Sequence, residues 1–371
     1  MSLRYEGRRI GSGSGNGFAF TDNGGGLVVA TSTFGRHHDT TPSGLLVPNG
    51  KIKEQGERRA PSHRLVLITD FSSAKGAKRD ERSNNQVKNA FKKVCEANGV
   101  GYVQPLSEDG GAYALRPINA AYLTDLYGIE HADEQRVHVV VCDPGVGGDR
   151  EGIVIKTKQG AYLVGPNNGL FWEQIKREGI ATDLQGEPEV YKVKDERFKD
   201  VESATFHGKE VFAPVGAELA SGKDPAHLTE WLERFDPEKL VKLDFEQNQI
   251  LEIDGVNLVT INAKMPDDHP ITARVIVTDR ETGQTKVLEI PTGEKFVDGE
   301  KGQLIIYSGS DRHFLEIAAC NAVHEHEDHA PKQLSVRYKD SPIEPGDILD
   351  IKWLYETELR EGKGVSLRGK R

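Results

Sequence analysis

The chain has 371 residues, 36% hydrophobic and 29% charged, enough apolar material for two or three folded domains and too much for a disordered chain. Its net charge of -10 argues against nonspecific binding to nucleic acid or to anionic membranes, because both need basic patches. Cys95, Cys142 and Cys320 stand far apart with no CxxC pair. That argues against a disulfide framework or a cysteine metal site and makes a reducing cytoplasm the default compartment. No apolar run reaches membrane-spanning length, and no apolar signal region follows the first six residues.

In chain order, residues 1–62 are rich in Gly, Ser, Thr and Asn with short apolar runs, and are expected to form a hairpin or a loosely ordered extension. An alternating α/β region follows. Residues 64–70 read as a strand ending in Asp70. In residues 84–98, Val87, Phe91, Val94 and Cys95 share one helical face. A helix is expected over 118–126, strands over 137–143, 152–156 and 161–165, a helix over 171–178 stopped by Gly179, and another over 211–220. Strands alternating with helices predict a mostly parallel, covered sheet. Residues 223–239 are polar and contain proline, as a linker would. Beyond residue 240, short strands without helices predict a small all-β, barrel-like domain. The expected division is a Gly/Ser-rich extension (1–62), an α/β catalytic domain (63–222), a linker (223–239), a barrel-like C-terminal domain (240–355) and a polar tail (356–371).

The segment that carries most chemistry is Val139 to Arg150. An apolar strand ends in Asp143, a Pro-Gly-Val-Gly-Gly turn follows, and Arg150 closes it. Ligands of α/β sheets bind beyond the carboxyl ends of strands, where Asp143 would stand. The glycines let the backbone turn sharply and approach a ligand. Asn167-Asn168-Gly169 is a strong turn signal, and His207 precedes a glycine and a helix start. Gly145-Val-Gly-Gly148 lacks the Gly-Lys-Ser/Thr of a P-loop and the Rossmann spacing, so it is not read as a phosphate cradle. The acidic and histidine-rich run at 324–329 reads as a solvated loop, and no metal is expected there or at His37 and His38.

Three motifs in order, Asp-Pro-Gly-Val-Gly-x-x-Arg (Asp143 to Arg150), Gly-Pro-Asn-Asn-Gly-Leu (Gly165 to Leu170) and Thr-Phe-His-Gly-Lys-Glu-Val-Phe-Ala-Pro (Thr205 to Pro214), resemble those of the S-adenosylmethionine (SAM) hydroxide adenosyltransferases, relatives of the fluorinases and chlorinases. Thr69-Asp70-Phe71, the Ile253 to Ile261 stretch and the Ser310 to Ala318 stretch resemble further family motifs. The resemblance covers roughly residues 64–353. It implies hydrolysis of SAM to adenosine and L-methionine by water or hydroxide attack on C5′, with the water oriented by a catalytic triad of Asp143, Arg150 and His207. Arg150 would hold Asp143 ionised, and His207 would share the water and receive its proton. Substrate-binding roles carry over to Asp70, Phe71, Asn168, Asp254, Asn257, Ser310, Asp311 and Arg312. SAM would be the substrate, with no cofactor and no metal, and the family implies a cytoplasmic homotrimer with sites between subunits. Ser72 replaces a family glycine, residues 105–108 lack a family histidine, and Asp254 and Asn257 stand one residue closer than usual, so the triad is intact and the substrate shell altered. Retention of Asp143 separates the chain from the halogenases. The alternatives are a non-catalytic adenosine- or SAM-binding protein and a halogenase-like enzyme.

Overall fold

A computed structural model describes residues 17–21, 27–31, 58–71, 81–102, 105–106, 116–199, 206–253, 257–294, 299–309, 314–320, 329–337 and 342–356. Residues 1–55 form one unit and 56–371 a second. In the first, β1 (Gly17–Thr21) and β2 (Leu27–Thr31) pair antiparallel as a hairpin. No helix among the described residues is long and apolar enough to cross a membrane.

The second unit begins with β3 (Arg64–Thr69), α1 (Glu81–Ala97), α2 (Pro117–Glu130), β4 (Arg136–Val141), β5 (Gly152–Lys156), β6 (Tyr162–Pro166), α3 (Trp172–Glu178), β7 (Val190–Val193), α4 (Asp195–Lys199), α5 (Ala213–Ala220) and β8 (Leu232–Arg234). Its six strands form one sheet in the order β3-β4-β6-β5-β7-β8. Alternation along β4 gives the sheet two buried faces. Val137, Val139 and Val141 join Val87, Phe91 and Cys95 of α1 and Val215 and Leu219 of α5 in one core. Val140 and Cys142 join Ile118 and Tyr122 of α2 and Ile175 of α3 in the other.

The sheet is mixed rather than mostly parallel. β3, β4 and β6 pair parallel, whereas β5 pairs antiparallel with β6 and β7, and β7 antiparallel with β8. The cause is the short connection from β5 to β6, too short for a parallel crossover and sufficient for a hairpin. The stretch read as a linker carries β8, an edge strand of this sheet, so the α/β layer extends to Arg234. The helix expected over 211–220 is α5, preceded by a π-helical turn over Gly208–Phe212. Pro214 has no N–H to give the carbonyl four residues back, and the Ala213 N–H reaches Gly208 O, five residues back.

Two further sheets in this unit are each antiparallel. β9 (Ile250–Ile253), β10 (Leu258–Ile261), β13 (Leu304–Ser308) and β14 (Leu315–Ala319) form a sheet in the order β13-β14-β10-β9. β11 (Thr272–Thr278), β12 (Thr285–Pro291) and β15 (Asp350–Leu354) form another in the order β12-β11-β15, and α6 (Ala330–Leu334) lies beside them. Ile250, Val259, Ile261, Val275, Ile306 and Ile317 from both sheets share one core. Single bridges join the two sheets at both edges, Thr292 with Ile306 and Gln249 with Ile348. Asn119 on α2 ties the regions together by donating to Leu251 O at 2.9 Å.

Candidate active site

Asp143 follows the end of β4 and is 6% exposed; His207, at the start of the π-helical turn, is 4% exposed. Arg150, just before β5, lies between them. Its Nε donates to Asp143 Oδ2 at 2.8 Å, its Nη2 reaches the same oxygen, and Nη2 also lies 3.0 Å from His207 Nδ1. The other carboxylate oxygen, Oδ1, accepts the Gly145 N–H at 3.2 Å. The glycine turn thus folds back to hold the acid it follows.

A guanidinium can only donate, so His207 Nδ1 is the acceptor of that contact and the neutral ring carries its proton on Nε2. Burial, then the Arg150 charge, push the His207 pKa below its ordinary 6.5, with Asp143 opposing. The ring is therefore held neutral, with a donor as its second polar atom. In this tautomer the ring's acceptor nitrogen is the one engaged by Arg150.

Asp70 stands at the end of β3, its N–H donating to Val141 O at 3.1 Å, and its carboxylate takes a hydrogen bond from the Cys142 thiol. Burial, then Asp70, raise the Cys142 pKa well above its usual value, so the thiol stays protonated. Phe71 meets Phe206 edge-on at 5.5 Å, next to His207. Asn168 donates to Cys142 O at 2.9 Å. Its Oδ1 is buried without a partner among the described residues, and the residue lines a cavity of about 380 Å³ with Arg116, Ile118, Leu243, Arg280 and Asp347. Gly169, at φ +95°, lets the Asn-Asn-Gly turn pass Leu243, whose Cβ would lie 2.4 Å from a Cβ at this position. The ends of β3, β4 and β6 thus bring Asp70, Asp143 and Asn168 to one edge of the sheet.

Asn257 lies elsewhere, ahead of β10. Its side chain donates to Ala319 O at 2.8 Å and accepts the Ala319 and Ala330 N–H groups at 3.0 and 3.2 Å, so it pins β14 to α6. Asp254, Ser310, Asp311 and Arg312, and the run at 324–328, lie outside the described residues. No group of three or more His, Cys, Asp or Glu that could hold a metal occurs among the described residues. Sequence reasoning missed Phe198 on α4 and Phe212 in the π-helical turn, whose rings lie 5.5 and 5.4 Å from the Arg150 guanidinium. Phe212 stands inside the Thr-Phe-His-Gly motif and was open to notice; Phe198 sits in a charged stretch with no such signal.

Known proteins share this architecture. An uncharacterized conserved protein from Thermotoga maritima superposes with a TM-score of 0.54 at 22% identity, over 78% of this chain and 100% of that one. A conserved hypothetical protein from Thermus thermophilus gives 0.52 at 21% identity, over the same shares. These likenesses define the fold. The SAM hydroxide adenosyltransferase N-terminal domain matches residues 113–229. The chain is 34% identical over 211 residues to the (R)-S-adenosyl-L-methionine hydrolase of Methanocaldococcus jannaschii, covering 55% of this chain and 69% of that protein. It is 41% identical over 108 residues to the protein of the same name from Salinispora arenicola, covering 29% of this chain and 38% of that one. The chain belongs to the SAM hydroxide adenosyltransferase family.

Proposed function

We propose that the protein hydrolyses SAM to adenosine and L-methionine, with Asp143, Arg150 and His207 seating the attacking water. The observation that carries this reading is the double engagement of Arg150, which holds Asp143 and His207 through one guanidinium. In the step, the water oxygen bonds to C5′ as the C5′–S bond breaks. The bonding pair stays on sulfur, which turns from sulfonium to neutral thioether, and one proton leaves the water. Little acid assistance is needed, because methionine departs uncharged. What costs most is orienting a partly dehydrated water in line with the breaking bond, and such positioning is worth up to roughly 7–11 kcal/mol. Asp143 Oδ1 takes the water proton, and the His207 Nε2–H directs the oxygen by donating to it. Arg150 pairs with the carboxylate and aims it.

Asp70 would accept from the ribose hydroxyls, with Phe71 beside it and Asn168 at the far end of the same edge. Asp254, Ser310, Asp311 and Arg312 would complete the methionine end, where a guanidinium suits a carboxylate. Asn257 was expected at the adenine; its backbone partners favour a structural role instead. The paired bridges at both edges of the two antiparallel sheets support a closed barrel, and a homotrimer with sites between subunits follows from the family. No cofactor or metal enters the step.

The test is incubation with SAM in ¹⁸O-labelled water. Equal amounts of adenosine and methionine, with label in the adenosine 5′-hydroxyl, are expected. Absence of adenosine refutes the activity, and label found elsewhere refutes attack at C5′.

A further inference from the structure

The Arg150 guanidinium sits in an aromatic corner. The Phe198 and Phe212 ring centroids are 6.3 Å apart with planes at 72°, and the Arg150 carbon lies 5.5 Å from the first and 5.4 Å from the second. Phe198 also meets the His207 ring edge-on, centroids 4.9 Å apart. One phenyl ring therefore touches two members of the triad. The corner is closed from behind by β5. A Cβ on Gly152 would lie 2.8 Å from Phe198 Cζ and 2.8 Å from Phe212 Cε1, so the rings press directly on that strand's backbone. Phe212 is wholly buried, whereas Phe198 is only partly buried, on a short helix with no fully buried residue.

We propose that Phe198 is a positioning residue: its ring fixes the Arg150 fork and the His207 plane together, so that Arg150 must join Asp143 to His207 Nδ1. A guanidinium is attracted to the faces of aromatic rings and is weakly hydrated, so two rings and a glycine backbone hold it where water would not. With Arg150 held, its Nη2 faces His207 Nδ1, and the imidazole is locked with its proton on Nε2. Among the described residues, the charged groups facing His207 are Arg150 and Asp143. In this role Phe198 touches neither substrate nor the reacting atoms. Its kinetic consequence rests on the hydrolase reading; its effect on the imidazole does not.

The test uses the full chain with Phe198→Ala and Phe198→Leu. Tyrosine is unsuitable, because its hydroxyl would extend from Cζ into Gly152. Two quantities are read: SAM turnover, and the nitrogen NMR shifts of the His207 ring. In the wild type, Nδ1 should be acceptor-like and Nε2 proton-bearing. In Phe198→Ala the two forms should mix, kcat should fall at least about tenfold and KM should stay within about threefold, the signature of lost orientation rather than lost binding. Phe198→Leu, which keeps the bulk and loses the ring face, should fall between the two. A folded Ala variant with a locked ring, or with unchanged kcat, overturns the proposal, and so does a loss confined to KM. Should Ala fail to fold, Leu is read in its place: a mixed ring with lowered kcat sustains the proposal, and a locked ring or unchanged kcat overturns it. A wild type that is inert toward SAM but shows the locked ring, unlocked by Ala, rejects the hydrolase reading and sustains the positioning role.

Discussion

Arg150 Nη2 lies 3.0 Å from His207 Nδ1 while the same guanidinium grips Asp143. An acid and an imidazole are thus set by one cation, and each of their remaining polar atoms has a defined character: an acceptor on Asp143, a donor on His207. This pairing needs all three groups, so removing any one disturbs the others.

Asp143→Asn keeps the shape and removes the charge. Adenosine formation should fall by roughly 100-fold or more, as for loss of a general base. The Arg150 cation, 12% exposed at its side chain, would lose its counter-ion, at a cost of up to about 3–5 kcal/mol. Product chromatography and urea melts measure both, and full activity in this variant would remove Asp143 from the mechanism.

Stability should fall on acidification. Burial lowers the His207 pKa, with Arg150 second. Burial also drives His138 well below 6.5, with Arg136 second. In the unfolded chain both rings return to about 6.5. Below that pH the unfolded chain binds more protons than the folded one, so the stabilisation is complete above 6.5 and is lost as pH falls toward the folded values. Each ring contributes a slope of about 1.4 kcal/mol per pH unit within its window. His138 has the wider window, and His63, also lowered, acts in the same direction. Urea melts from pH 7.5 to 5.0 test this, and a flat profile contradicts it. His138→Gln should remove the largest share of the slope.

Arg136 and Glu178 have no exposed side-chain surface, and Arg136 Nη2 donates to Glu178 Oε1 at 2.6 Å. Glu178→Ala should destabilise by about 3–5 kcal/mol, because it leaves a buried cation unpaired. Arg136 opens β4 and Asp143 follows its end, a separation of about 20 Å at strand rise. Specific activity of the folded fraction should therefore stay unchanged. A coupled fall in kcat at temperatures where the variant is folded would contradict this separation.

Asn257→Ala would strand the Ala319 and Ala330 N–H groups and the Ala319 carbonyl. Each buried group left unpaired costs up to about 1–3 kcal/mol, read as a lower urea midpoint. An unchanged midpoint would show that the amide is not needed to pin β14 to α6.

What the linear chain settled was local. A β-branched run stopping at an acid, glycines after it and a histidine ahead of a helix set Asp143, Arg150 and His207 apart, because strand ends, tight turns and helix starts are written in short-range residue preferences. Antiparallel β5 and edge strand β8 depend on which strands meet, a long-range choice that period and composition do not encode. Charged residues read as solvent-facing, so the buried Arg136 and Glu178 pair was invisible until folding joined residues 42 positions apart. Phe198, too, gained its meaning only from three-dimensional packing: an aromatic in a charged segment becomes one wall of the Arg150 seat because β5 offers a glycine for it to rest upon.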